Sequence, residues 1–264
     1  MATLLRNPND RRSLAFVGLT LAALVLPHML DLPLAWIPFA SALCFIASIV
    51  NHNHMHCRTF RRDQHNRWYN LALSIARGHS ATGIVVPHQF NHHRESGARG
   101  DWIRPTLAGT GLGWLRLLRY VPRASLTMMI ERGRTGAPVL PPRRQRGQDT
   151  ERLFLAVVIG IALVHDWKVF LLFNAGPWLL GLCLLVGVNL LQHDACDPGE
   201  SRNFTGRMGN WLFFNNGYHT AHHLRPSAHW SALPALHAGL QPGRPQQYTS
   251  ILAYLWRFGW ATRN

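Results

Sequence analysis

The sequence predicts an all-α integral membrane protein: four transmembrane helices in two hairpins, with a cytoplasmic helical cap holding a histidine-rich di-metal site. Three observations carry that expectation. The apolar residues gather in two blocks, each long enough for a pair of bilayer-spanning helices. The basic residues avoid those blocks, and histidine, with sixteen copies in 264 residues, falls mostly in tight clusters beside their ends. A formal charge of +15 would suit nucleic acid, but the segregation of Arg from the apolar runs argues for a membrane, and no nucleic-acid partner is expected.

Residues 13–30 and 32–50 form runs of roughly 18 residues, about 27 Å at 1.5 Å per residue, close to the hydrocarbon thickness of a bilayer. They are expected as an antiparallel pair joined by a short turn at Asp31 and Pro33. A cleaved signal peptide competes for the first run, since RNPNDRR supplies a basic leader; the second span that follows at once, and the lack of a small-residue cleavage site, weigh against it. The second block, Leu153 to Gln192, is interrupted at residues 165–168 and again at Asn174, Gly176 and Pro177. It parses as a second hairpin, with spans near 152–165 and 169–193 and the reversal between Val164 and Gly176.

The whole chain, 1–264, reads as one membrane domain with cytoplasmic segments 51–150 and 194–264. The central segment carries Arg58, Arg61, Arg62, Arg67, Arg77, Arg94, Arg99 and Arg104, while the opposite turns carry Asp31, Asp166 and Lys168. By the positive-inside rule both termini and the histidine clusters face the cytoplasm. Within that segment GWLRLLRYV (113–121) has the pattern of a basic helix lying in the membrane interface, Arg116 and Arg119 toward anionic lipid; an ordinary surface helix is the alternative. Pro141, Pro142 and RRQRGQDT are expected as a solvated linker between the hairpins. Cys44, Cys57, Cys183 and Cys196 are too widely spaced for a disulfide framework and are read as thiols.

Three histidine clusters share a spacing: His52 and His56 in HxxxH, His88, His92 and His93 in HxxxHH, and His219, His222 and His223 in HxxHH. Residues three or four apart share a helix face, so each cluster can aim its imidazoles at one point. One such box arises by accident in a chain this rich in histidine; three beside the same ends of the apolar runs do not. His54 lies about 200° around the helix from His52 and is expected behind the ligands or at the surface. His193 ends the last apolar run, where an ionisable group needs a partner. Asn189, one turn earlier, could hydrogen-bond a ligand or a metal-bound water. His28 and His165 fall near the opposite membrane face with no role expected. Imidazole suits Fe, Zn, Cu or Ni, and eight or nine histidines exceed what one metal can hold, so two ions are implied. With no ExxH pairs, the site is nearly all histidine, a centre suited to activating dioxygen or a bound hydroxide.

In order and spacing these residues resemble the membrane-bound fatty acid desaturase and hydroxylase superfamily. HMHCRTF is similar to the first box with its following Phe, NHHR to the second, and NNGYHTAHH with RPSAHWSALPALH to the third and its downstream signature. The resemblance covers nearly the whole chain. It implies a four-helix membrane fold and a di-iron centre that uses O2 and an unactivated C–H bond of a lipid acyl chain. It also implies His52, His56, His88, His92, His93, His219, His222 and His223 as iron ligands. His193 resembles an extra ligand, and Asn189 its water-holding neighbour in the acyl-CoA branch. The second box is one residue longer than that branch's HxxHH, which on an α-helix rotates His88 by about 100°. The chain lacks the HPGG haem motif, so a separate donor, ferredoxin-like or cytochrome-type, is expected to supply electrons; a basic cytoplasmic face suits an acidic one. Fatty acid or acyl-lipid desaturation is the first expectation and lipid or carotenoid hydroxylation or ketolation the second. A zinc-dependent membrane hydrolase and a metal carrier are the readings from other classes.

Overall fold

The computed structural model describes residues 4–134, 136–240 and 246–263. The chain is mostly helical. Apart from single short turns, the helices in order are α1 (Asp10–Val25), α2 (Trp36–His56), α3 (Asp63–Arg77), a π-helix (Val85–His92), α4 (Gly113–Arg132), α5 (Pro142–Phe170), a π-helical turn (Leu171–Ala175), α6 (Gly176–His193), α7 (Arg207–Leu212), α8 (His219–Leu224), α9 (Leu233–Ala238) and α10 (Ile251–Trp260). They fall into two compact units, residues 1–84 with 140–185, and residues 85–139 with 186–264.

In the first unit α1 and α2 pair antiparallel: Thr20 donates to the Leu43 carbonyl (3.3 Å) and the Trp36 indole to that of Ala23 (2.9 Å). Ala23, Ala40 and Leu43 form the buried seam between them. Beyond α2 the chain returns beside the N-terminal segment, where Arg6 N–H donates to the Thr59 carbonyl (2.9 Å). Gly181 lets α6 approach α2, since a Cβ there would lie 2.9 Å from Cys44 Cβ and 3.0 Å from the Phe45 nitrogen.

The second apolar block breaks at Asp166, whose φ of −158° and ψ of 101° are extended rather than helical. Its carboxylate accepts the N–H groups of Lys168 (2.9 Å) and Val169 (3.0 Å), so Asp166 caps a new helical start. His165 and Asn174 both reach His28: Asn174 Oδ1 lies 2.7 Å from His28 Nε2, and the His165 ring 3.3 Å from the His28 carbonyl. The chain therefore folds back between them, and the two histidines for which no role was expected join the ends of the two apolar pairs. Asn174 also donates to the Leu24 carbonyl (3.0 Å), which satisfies a buried amide inside an apolar run.

The expected linker after Pro141 is helical instead. Pro142 occupies the first helical position, where its missing N–H costs nothing, and RRQRGQDT continues the helix. That extension delivers buried Glu151 to the first unit, where its carboxylate accepts from Asn70 (2.8 Å), Ser80 (2.6 Å), and the backbone (2.8 Å) and hydroxyl (2.6 Å) of Thr82. His54 joins the same network. Thr59 N–H donates to its Nδ1 (3.2 Å), and its Nε2 lies 3.1 Å from both Asn70 Oδ1 and Arg58 Nη1. Burial, with Arg58 adding to it, pushes the His54 imidazole down to about 3, which keeps it neutral. The side chain is 1 % exposed, so of the two expected placements the surface is excluded.

In the second unit α4 packs against α10, Gly113 lying over the Phe258 carbonyl where no Cβ fits. Two-residue strands flank them: Gly111–Leu112 pairs antiparallel with Thr262–Arg263, and Asn203–Phe204 parallel with Gln247–Tyr248. The outward face of α4 is apolar, with Leu115, Leu118, Leu126, Met129 and Ile130 exposed, Met129 at 75 %. Its inward face is Arg116, Tyr120 and Ala124. Arg116 is therefore buried and ion-paired with Asp194, rather than turned toward lipid as its spacing suggested. The four cysteines are free thiols.

Among the described residues, one helical stretch, Pro142–His193, is long and apolar enough to cross a membrane. α1 has 16 residues, and α2 spends its last turn on the polar histidine box.

Glu151→Ala leaves four donors without their acceptor and is expected to destabilise the folded protein by about 3 kcal/mol or more. Thermal unfolding in detergent reads this out, with Glu151→Gln showing a smaller loss; an unchanged melting temperature for the alanine variant contradicts the anchoring role.

Candidate metal centre

Most of the site is built on the π-helix, on the end of α6 and on α8. On an α-helix, residues five apart stand about 140° from each other. The i→i+5 hydrogen bonding of a π-helix aligns them instead. Val85–His92 is π-helical, and His88 Nε2 accordingly lies 3.0 Å from His93 Nε2. The extra residue in HxxxHH is thus absorbed by the wider turn. His92 departs in another direction and joins the second set of imidazoles described below.

His92 Nδ1 lies 2.8 Å from Asp101 Oδ2. Asp101 also accepts the N–H groups of Gly97 (2.8 Å) and Ile103 (2.9 Å). Burial alone would raise this carboxyl, but the His92 contact and the two backbone donors outweigh it and hold it below the usual carboxylate range. An ionised Asp101 can only accept, so His92 Nδ1–H donates to it and Nε2 is the nitrogen turned away. That Nε2 is buried and, among the described residues, has no hydrogen-bond partner. A buried, unpartnered imidazole nitrogen is what a metal ligand looks like before the metal is considered.

His193 is placed by the C-terminus of α6. Arg202, fully buried, donates to the carbonyls of Leu191 (2.6 Å) and Asp194 (2.8 Å), and stacks its guanidinium 4.4 Å from the Tyr254 ring. Asp194 in turn is clamped by Arg116 and Arg263. With the helix end so fixed, His193 Nδ1 lies 3.3 Å from the Glu200 carbonyl, and Nε2 lies 2.9 Å from His219 Nε2.

The third box divides between two sets as the second box does. His219 and His223, one turn apart on α8, bring their Nε2 atoms to 3.1 Å, whereas His222 turns to His93, again at 3.1 Å. One set is His92, His193, His219 and His223, its ligand atoms all within 4.8 Å of one another; in the other, His88, His93 and His222 meet the same limit. Burial, reinforced by the surrounding imidazoles, holds His223 well below the usual imidazole range, so it is neutral as a ligand must be. In the first unit His52 and His56 stand one turn apart with ring centroids 4.9 Å from each other, and His54 is turned away into the Asn70 network.

Asn189 donates to the Ile103 carbonyl (3.2 Å) and the Tyr120 hydroxyl (2.7 Å), joining α6 to α4 and to the loop that carries Asp101. Asp101 and the Arg202 clamp were not read from the sequence. A single Asp in a Gly-rich loop and an Arg beyond a helix end carry no spacing signal.

Fold and side chains together define a helical protein with two histidine clusters of a kind that could hold metal ions. A family model described as fatty acid desaturase matches residues 14–255, and the chain belongs to that family. The family makes it a desaturase-like oxidoreductase, of a membrane-bound class that acts on lipid. No curated protein matches the chain at a significant level.

His222→Ala is expected to abolish product formation while helical circular dichroism and membrane insertion stay intact. Full activity in that variant would remove the third box from the ligand set.

Proposed function

We propose that this chain is an O2-dependent, di-iron fatty acid or acyl-lipid desaturase that spans the membrane four times, with both termini and the active site cytoplasmic. The observation that carries the reading is the pair of converging imidazole sets within a fatty acid desaturase chain. The neighbouring Nε2 atoms here lie 2.9–3.1 Å apart. Imidazole nitrogens drawn this close can share one ion, and the fatty acid desaturase family favours iron for it over the zinc of the hydrolase reading.

His92, His193, His219 and His223 are the proposed ligands of one iron. His88, His93 and His222 are proposed for the other, and His52 and His56 of the first box are proposed as metal ligands as well. When bound, such irons supply the means to reduce O2 and remove hydrogen from an unactivated C–H bond. The chain's own residues keep the ligands neutral and aimed: Asp101 holds the proton on His92 Nδ1, the Glu200 carbonyl faces Nδ1 of His193, and the Arg202 clamp fixes the helix end that bears His193. The spans are proposed at 13–30, 32–50, 152–165 and 169–193. The outward apolar stripe of α4 supports an interfacial position for that helix, the reverse of what a water-facing helix shows. Electrons come from a separate donor, and the arginine-rich cytoplasmic segments favour one with an acidic surface.

Metal analysis of the purified protein, paired with lipid profiling of cells with and without it, tests the reading. Two irons per chain and new carbon–carbon double bonds that require O2 are expected. Zinc with O2-independent turnover would overturn it, and hydroxylated or keto products would move the assignment to the oxygenating branch.

A further inference from the structure

We infer that Asp101 is a positioning residue that makes His92 an anionically supported Nε2 ligand, and so sets the affinity and electronic state of the metal bound by His92, His193, His219 and His223. The inference rests on the di-iron reading above. Asp101 is 0 % exposed and its two oxygens accept three hydrogen bonds, one of them from the imidazole. A carboxylate in that position locks the tautomer, orients the ring and raises the basicity of the distal nitrogen. The distal nitrogen is the buried one without a hydrogen-bond partner among the described residues. In a site made of neutral imidazoles, one adjacent buried negative charge offsets part of the metal's charge. By comparison, His193 in the same set has a neutral carbonyl beside its Nδ1.

The loop that carries Asp101 has a second, independent anchor. Asn91 accepts from Trp102 N–H (2.8 Å) and donates to the Gly100 carbonyl (2.8 Å), so the loop does not rest on Asp101 alone. This separates two roles that would otherwise be confused. Asp101→Asn removes the charge next to His92, while Asn91→Ala loosens the same loop and leaves the carboxylate in place.

The experiment loads the full-length parent, Asp101→Asn and Asn91→Ala proteins with enriched iron. It measures retention against a chelator and records Mössbauer spectra. Asp101→Asn is expected to weaken one of two irons by about 10- to 100-fold and to change one quadrupole doublet while leaving the other. Asn91→Ala should keep both irons at parental affinity. Retention of both irons by Asp101→Asn at parental affinity overturns the inference. So does parallel loss of both, or the same selective loss in Asn91→Ala, because each assigns Asp101 no more than a loop-holding role. A parent protein that binds no iron removes the di-iron reading itself, and the inference with it.

Discussion

An imidazole can offer a lone pair to a metal only while its other nitrogen keeps the ring's single proton, and at a buried site that proton needs an acceptor. The second unit is arranged around this requirement. Asp101 meets it for His92, and the Glu200 carbonyl faces the corresponding nitrogen of His193. Around those acceptors the rest follows: the loop after the π-helix is folded tightly by Asn91, and the end of α6 is clamped through Arg202, Asp194, Arg116 and Arg263. Burial then keeps His223 uncharged among its neighbours. The result is a cluster of imidazoles that would repel one another if protonated and that burial favours in the neutral form.

The same logic explains the polar groups inside otherwise apolar segments. Asn174 is buried because it spans the ends of both helical pairs, with His28 on one side and the Leu24 carbonyl on the other. Glu151 is buried because four donors from α3 and the segment after it surround its oxygens. Each places a fixed polar contact at one end of the first unit, and between them the helices meet through small residues such as Ala23, Ala40 and Gly181. α4 shows the converse. Its charged Arg116 faces inward to a carboxylate and its leucines face outward, an arrangement that water disfavours and lipid accepts.

Much of the candidate site's geometry is legible in the sequence because helical spacing is a local signal. His52 with His56 and His219 with His223 are one turn apart, and the structure keeps each pair on one helix face. What spacing could not supply was the local change of helix type. An α-helical second box would rotate His88 away from its partners; the π-helical turn over Val85–His92 brings it to His93. Asp101 was invisible for a different reason: its contact with His92 depends on how a nine-residue loop closes, and no periodicity records that. The stretch after Pro141 misled because Pro and Arg suggest a solvated linker, whereas Pro at a first helical position starts a helix as readily as it ends one.

The central claim is that histidines alone, drawn to two points, make up the metal environment. X-ray absorption at the iron edge of the purified, iron-loaded protein addresses it most directly. The account predicts a first shell of nitrogen or oxygen scatterers near about 2.1 Å with the strong outer-shell pattern of several imidazoles per metal, and no sulfur. A shell dominated by carboxylate oxygen, or one with thiolate sulfur from any of the four free cysteines, would contradict it.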